Sequence, residues 1–452
     1  MERIRALLQR AGNPQNNYPI VLVGGTNGKG STCEFLAQSL AAEGRRVGLY
    51  TSPHLHSWNE RIRVLEAGGR RRKKEESTPE FRRTFETGIS DSRFLPPASC
   101  LPLPASRFLP PGAISDIELD LLFDDAFPHL EAVAAEHGQP TEFETLTFLG
   151  FWHFARANVD IAIIEVGLGG KWDATNVCKP CVSVITHVAL DHCDRLGNTL
   201  EEIARDKVCI ARPNKVLVTA ERKGEVLQVF RDHCDQIGAR LWPFRASVSS
   251  NYKGDEKIEL HRCFAALDIS NEQAGGAPYF QIINSRTAAV ARWVLQKELG
   301  WKIEVVPSPT KVSGRAEIVR ENPLVILDGA NNPDGAGYLA HYLHENYAGK
   351  NLILVCGISA DKDWRAMIEI LAPLAKVFIA TQAQHPRAAS SEILAADARI
   401  FCPRVEAISS VPQAVNRALE LASRDDVICI CGSFFVLGEI DRDAIRDFKG
   451  SV

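Results

Sequence analysis

The apolar run Val21-Leu22-Val23 passes into Gly24-Gly25-Thr26-Asn27-Gly28-Lys29-Gly30-Ser31-Thr32 and then into a segment carrying Phe35, Leu36 and Leu40. Glycines at these positions let successive backbone N–H groups converge, and a helix starting there would add the positive end of its dipole. Lys29 can lie along the β- and γ-phosphates, so the expected guest is a nucleoside triphosphate. Gly30 stands between the lysine and the hydroxyl pair, a departure from the commonest phosphate-loop spacing. A triphosphate needs a divalent cation, and hard cations take oxygen donors with an occasional imidazole. Ser52 after Tyr50-Thr51, Glu165 after Ile163-Ile164, and His192 beside Asp191 are such groups, each expected at the carboxyl end of a strand.

Those positions require a parallel sheet, and the chain alternates accordingly. Strand-like runs at Arg46–Tyr50, Asp160–Val166, Val182–Thr186 and Lys215–Ala220 are separated by helix-like segments near Ile114–His137 and Thr141–Ala157. A further helix from Leu200 is announced by the capping box of Thr199 and Glu202. A long helix is expected over Ser285–Leu299, and Pro307 and Pro309 read as a linker, placing a domain boundary near residue 305. Beyond it, Pro323–Leu327, Leu352–Cys356, Val377–Ala380 and Val427–Cys431 form a second strand series. The fold class is therefore α/β. A phosphate-loop domain with a mostly parallel sheet (1–304) is followed by a smaller Rossmann-like α/β domain (305–452).

Residues 66–112 fit neither series. They hold the run Arg70-Arg71-Arg72-Lys73-Lys74 and a hexapeptide, Ser92-Arg93-Phe94-Leu95-Pro96-Pro97, repeated from Ser106 to Pro111. Such proline-rich, charged composition reads as a disordered surface insertion. The 452 residues are 45% hydrophobic and 24% charged with a net charge of −4, which argues against a nucleic-acid partner. No run suits a membrane span or a signal peptide, and twelve cysteines without a disulfide-like framework point to a reducing, cytoplasmic setting. Cys178 and Cys181 have the spacing of a metal or redox pair but lack a second such pair.

Taken in order, Gly25–Ser31, Thr51–His54, Asn59–Ile62, Glu165–Gly170, Asp173–Asn176, Asp191-His192, Gly314-Arg315 and Asp328–Ala330 resemble the folylpolyglutamate synthase/dihydrofolate synthase family of the Mur-ligase superfamily. The resemblance covers nearly the whole chain outside the insertion. It implies ATP on Gly25, Thr26, Asn27, Gly28, Lys29, Gly30 and Ser31, with Asn284, Arg315 and Asp328 as further nucleotide contacts. Magnesium is implied on Ser52, Glu165 and His192, and on Lys207 as a carbamate. Folate contacts are implied at Thr141, Glu142, Phe143 and Glu144 and at Trp172, Asp173 and Ala174. The implied reaction is ATP-dependent addition of L-glutamate to folate or dihydropteroate through an acyl phosphate. Lys29 and Lys207 would serve catalysis, and His192 or Asp191 would receive the amine proton. The alternatives are another Mur-type amino-acid ligase and a non-catalytic nucleotide- or folate-binding relative. The partners expected are small molecules, with no nucleic acid, no membrane and a monomeric chain. Asn331 occupies the place of a histidine in the family's Asp-Gly-Ala-His-Asn-Pro string, and the short stretch before the phosphate loop predicts that the family's N-terminal pterin-binding segment is missing.

Overall fold

Residues 1–66, 109–243, 278–301 and 312–448 are described by a computed structural model. The strands of the first sheet are β1 (Ile20–Gly24), β2 (Val47–Tyr50), β3 (Ile62–Leu65), β4 (Ile161–Glu165), β5 (Val182–Ile185), β6 (Val216–Thr219) and β7 (Arg240–Pro243). Their order is β3-β2-β4-β1-β5-β6-β7, and all neighbours are parallel except β2 and β3. The central strands β1, β4 and β5 are buried along their whole length, the signature of a parallel sheet covered on both faces. One face is covered by α1 (Glu2–Arg10), α3 (Asp116–His137) and α4 (Glu142–Arg156), through residues such as Leu7, Leu130 and Phe151. The other is covered by α2 (Lys29–Ala42) and α7 (Tyr279–Leu299), through Phe35, Leu40 and Trp293. Between them in sequence come α5 (Leu200–Lys207), with the Thr199–Glu202 capping box formed, and α6 (Gly224–Ile237).

The second sheet contains β8 (Glu317–Glu321), β9 (Leu324–Asp328), β10 (Leu352–Cys356), β11 (Val377–Gln382), β12 (Val405–Ser410) and β13 (Val427–Cys431), in the order β12-β11-β10-β13-β9-β8. Only β8 runs antiparallel, and α8 (Pro333–Tyr347) leads from β9 back across one face. Cys356, Cys429 and Cys431 are fully buried in adjacent strands, as small apolar groups would be.

Two expectations change at this level. The helix set at Ser285 begins six positions earlier at Tyr279, because Pro278 supplies a helix-starting φ and the first turn packs on the second domain's core. The supposed insertion ends before Pro110: Gly112 O accepts from Val64 N at 2.8 Å, Ile62 O accepts from Ile114 N at 2.9 Å, and Arg63 Nε donates to Pro111 O at 3.1 Å. The basic run, the first copy of the hexapeptide repeat, the linker prolines and the boundary at 305 lie outside the described residues. No described helix is long and apolar enough to cross a membrane.

Candidate active site

The phosphate loop leaves β1 at its carboxyl end and enters α2 at Lys29. Gly25 (φ +137°) and Gly28 (φ +87°) take backbone conformations that side chains rarely adopt. A Cβ at Gly25 would stand 2.0 Å from Thr186 Oγ1, and one at Gly28 2.3 Å from Asn284 Oδ1. Thr26 is tied to the strand end after β5, its hydroxyl accepting from Ala189 N at 3.0 Å. The Lys29 ammonium donates to Thr26 O at 3.1 Å and the Lys207 ammonium to Gly25 O at 2.9 Å, so two cations bracket the loop. Burial, assisted by the nearby Lys29 charge, pushes the Lys207 amine down to about 7.

Glu165 ends β4 beside this loop and is buried. Its Oε2 accepts from Ser52 N at 2.8 Å and lies 3.5 Å from where a Gly30 Cβ would sit. Burial raises its pKa, against the pull of Lys29 and the Ser52 N–H. A buried carboxylate with a hydroxyl residue at the phosphate end of the sheet suits a magnesium-like ion, which binds through one or two carboxylates plus substrate phosphates and water. The Nε2 of His192 faces Lys362 Nζ at 3.0 Å; burial lowers its pKa, helped by the charges of Lys362, Lys29 and Lys207. No cluster of three or more His, Cys, Asp or Glu side chains able to hold a metal occurs among the described residues. The Ser52 loop is held by Glu60, whose carboxylate accepts from the backbone N–H of Leu55, His56 and Ser57 at 2.6–2.9 Å.

A cavity of about 290 Å³ opens from the loop at Asn27, Gly28 and Ser31 and runs between the domains. Its first-domain wall includes Asn284, its second-domain wall Arg315 and Asp328, and its lining also holds the aromatic rings of Tyr279, Phe280 and Tyr338 beside Arg222 and Lys223. Asp328, last in β9, accepts from Ala316 N and Ala330 N at 2.8 Å each, and burial lifts its pKa to about 6 although Arg315 opposes this. The Arg315 guanidinium lies 4.6 Å from the Phe434 ring centroid.

Several residues at this seam were not singled out from sequence. Asn332 exchanges hydrogen bonds with Asn27 (3.0 and 3.1 Å), donates to Asp191 Oδ2 at 3.0 Å and caps α8. Lys362, from the loop after β10, donates to Asp191 Oδ1 at 2.6 Å. Burial works against the Asp191 charge, but Lys362 and His192 hold its pKa below the usual carboxylate range. Asp334, in the first turn of α8, accepts from Asn27 Nδ2 at 2.8 Å and faces His187 Nε2 at 3.1 Å. Asn332 before Pro333 carries a local helix-start signal, but no local signal marks the contacts across the seam, which exist only once the two sheets are packed together.

The residues implied on the folate side divide into two groups. Thr141 and Glu144 form the capping box of α4, and Glu144 also accepts from Arg3 Nε at 2.8 Å. Asp173 is buried and accepts from Leu168 N (2.8 Å) and Thr175 N (2.9 Å), while Ala174 is buried behind it. Thr141, Glu144 and Asp173 hold backbone with their side chains, and Ala174 contributes only packing. Glu142 pairs with Arg61 at 3.6 Å, Phe143 packs against Gly167 and the Tyr50 ring, and Trp172 is 72% exposed.

Residues 314–434 match the family described as Mur ligase, glutamate ligase domain. The dihydrofolate synthase/folylpolyglutamate synthase of Bacillus subtilis is 31% identical over 461 residues, covering 97% of this chain and 93% of the relative. The chain belongs to the folylpolyglutamate synthase/dihydrofolate synthase family. A Haloferax volcanii protein described as a "probable bifunctional folylpolyglutamate synthase/dihydropteroate synthase" is 32% identical across 97% of this chain, and the chain spans only 47% of that relative's length. Among solved structures, the bifunctional synthase of Yersinia pestis, complexed with AMPPNP and a manganese ion, superposes with a TM-score of 0.73 at 26% identity. That likeness covers 97% of this chain and 91% of the other.

Proposed function

We propose that this chain is an ATP-dependent ligase that joins the amine of L-glutamate to a carboxylate of a folate, of dihydropteroate, or of both. The observation that carries the proposal is the cavity that begins on the phosphate loop and continues between the domains to Arg315 and Asp328, with Glu165 and Ser52 beside its phosphate end. A carboxylate is a poor acyl donor, so the γ-phosphoryl group of ATP is first transferred to it, giving an acyl phosphate and ADP. Lys29, together with the N–H groups of the loop, offsets the charge on the transferring group. The glutamate amine then attacks the acyl carbon, a C–N bond forms, phosphate leaves with the C–O bond's electrons, and the nitrogen gives up a proton.

Asp191 and His192 are the acceptors proposed for that proton, positioned by Lys362 and Asn332. Magnesium, when bound at Glu165 and Ser52, with His192 and carbamylated Lys207 as the further ligands implied by the family resemblance, supplies charge neutralisation at the phosphoryl oxygens. For Lys207 the support is its burial, which favours the neutral amine that carbon dioxide can add to. Glu142, Phe143 and Trp172 are the proposed folate-side surface, Trp172 through its exposed indole.

The test is phosphate release from ATP by the purified chain. Release that requires both glutamate and a folate or dihydropteroate, with an amide-linked product of matching mass, is the expected result. Release that ignores glutamate, or ATP binding without turnover on any of these acceptors, overturns the reading.

A further inference from the structure

His187 stands just past β5, at the phosphate loop's border with the second domain. Its Nε2 lies 3.1 Å from Asp334 Oδ1, on α8 of the second domain, and its Nδ1 3.5 Å from Glu221 Oε2, on the loop after β6 of the first. The ring meets the Tyr338 ring edge-on, with centroids 6.2 Å apart. Glu221 is built into its own domain, whereas Asp334 already reaches across the seam. Glu221 accepts from the backbone N–H of Val188, Arg222 and Lys223 at 2.7–3.0 Å, and Asp334 accepts from Asn27 Nδ2. A single imidazolium placed between them satisfies both at once, each ring nitrogen donating to a different domain.

The remaining groups facing this cluster are few. Lys223 donates to Val188 O at 2.7 Å, Arg222 donates to the Tyr279 hydroxyl at 3.1 Å, and Tyr338 contributes a neutral phenol. Burial disfavours the charged ring, but the bonds to Asp334 and Glu221 outweigh it and raise His187 to about 9. Glu221, despite its own burial, is held down to about 2 by the same contact and its backbone donors.

We propose that His187 is a positioning residue whose positive charge pins the second domain, through Asp334, against the nucleotide cavity. The cavity that it borders exists only while the two walls face each other, so the pin acts on ATP affinity and leaves the chemical step to other residues. The sign of its pH dependence follows. A group whose folded pKa is raised stabilises the joined state below its ordinary value near 6.5 and loses that contribution as pH rises through about 9. This inference rests on the ligase reading for its link to ATP, but the domain contact itself can be measured without nucleotide or turnover.

The experiment compares wild type, His187→Gln, His187→Lys, Asp334→Asn and the His187→Gln/Asp334→Asn double variant. Domain separation in the nucleotide-free full chain is followed by small-angle scattering between pH 7 and 10, and ATP affinity by equilibrium titration. Wild type is expected to expand as pH passes about 9, whereas His187→Gln is already expanded at pH 7 and shows no alkaline transition. His187→Lys, which keeps its charge, should move the transition to higher pH. Each single variant should weaken ATP binding about 10-fold, within the usual range of coupling between sites, and the double variant no further than either. In steady state the loss should fall on the KM for ATP rather than on kcat. Identical scattering in all variants, or additive losses in the double variant, overturns the pin. If scattering behaves as expected while no variant, wild type included, consumes ATP with glutamate and folate, the ligase reading fails and the pin stands.

Discussion

The two sheets serve the same cavity by different means. The first presents backbone: a loop fixed at both ends, two lysine ammonium groups donating to its carbonyls, and a buried glutamate held by a backbone N–H. The second presents the ends of side chains, and Asn332, Asp334 and Lys362 find their partners on the opposite domain. A site made from buried backbone within one core is rigid, whereas one completed across a polar seam can be assembled and released with each turnover. The contrast assigns chemistry to the first sheet and closure to the second.

Substitutions separate the two roles, and the largest effect is expected at Lys29. Lys29→Ala removes the one side-chain cation at the start of α2 and should lower kcat about 100- to 1,000-fold, as loss of a charge-stabilising donor does elsewhere. Activity within a factor of a few of wild type would place the phosphates away from this loop. Lys207→Ala should cost about 100-fold, with partial recovery when short carboxylates are added. Because the amine titrates near 7, it is protonated and unreactive toward carbon dioxide at lower pH. Activity at limiting bicarbonate should therefore fall as pH drops through about 7, and labelled bicarbonate should yield a carbamate signal that Lys207→Ala lacks.

Across the seam the effects should be smaller. Lys362→Ala leaves Asp191 and His192 in place but removes their shared donor, and a fall of about 10-fold in kcat is expected, measurable by phosphate release. A loss as deep as that of Lys29→Ala would mean that the second domain takes part in the chemistry. The smallest change is expected at Asn331. An amide donates and accepts as an imidazole does but cannot titrate, so Asn331→His should change kcat by less than about threefold and add no near-neutral limb to the pH–rate profile, provided the position works through hydrogen bonding. A gain of about 10-fold or more with such a limb would assign it a proton or a charge.

Much of this arrangement was legible in the sequence wherever the signal is local. Leu352–Cys356 and Val427–Cys431 coincide with the strands read from their apolar runs, and the phosphate loop lies where its glycines put it. Strands β3, β7, β8 and β12 were missed because they are short or alternate exposed and half-buried residues at or near sheet edges, where no continuous apolar run exists. The capping-box spacing of Thr199–Glu202 is also present at Ser57–Glu60, Ser115–Glu118 and Thr141–Glu144, where it was passed over, and all three boxes form. The seam roles of His187, Asn332, Asp334 and Lys362 were illegible for a different reason: each depends on a residue far away in the chain.

The placement of β1 at the middle of its sheet governs the order in which the molecule can be made. Its register pairs Ile20 with Ala162 and Val21 with Val182, so this strand, made long before its neighbours, has no partners until much later segments have emerged. Translation proceeds at about 5–20 residues per second, which leaves this apolar segment waiting for roughly 7 to 30 seconds before either neighbour exists. Asn284, which closes on Gly28, arrives later still. Nucleotide capture is thus a late event in biogenesis, and a nascent chain halted before Tyr279 should display a hydrophobic strand and an incomplete nucleotide pocket to the cell's chaperones.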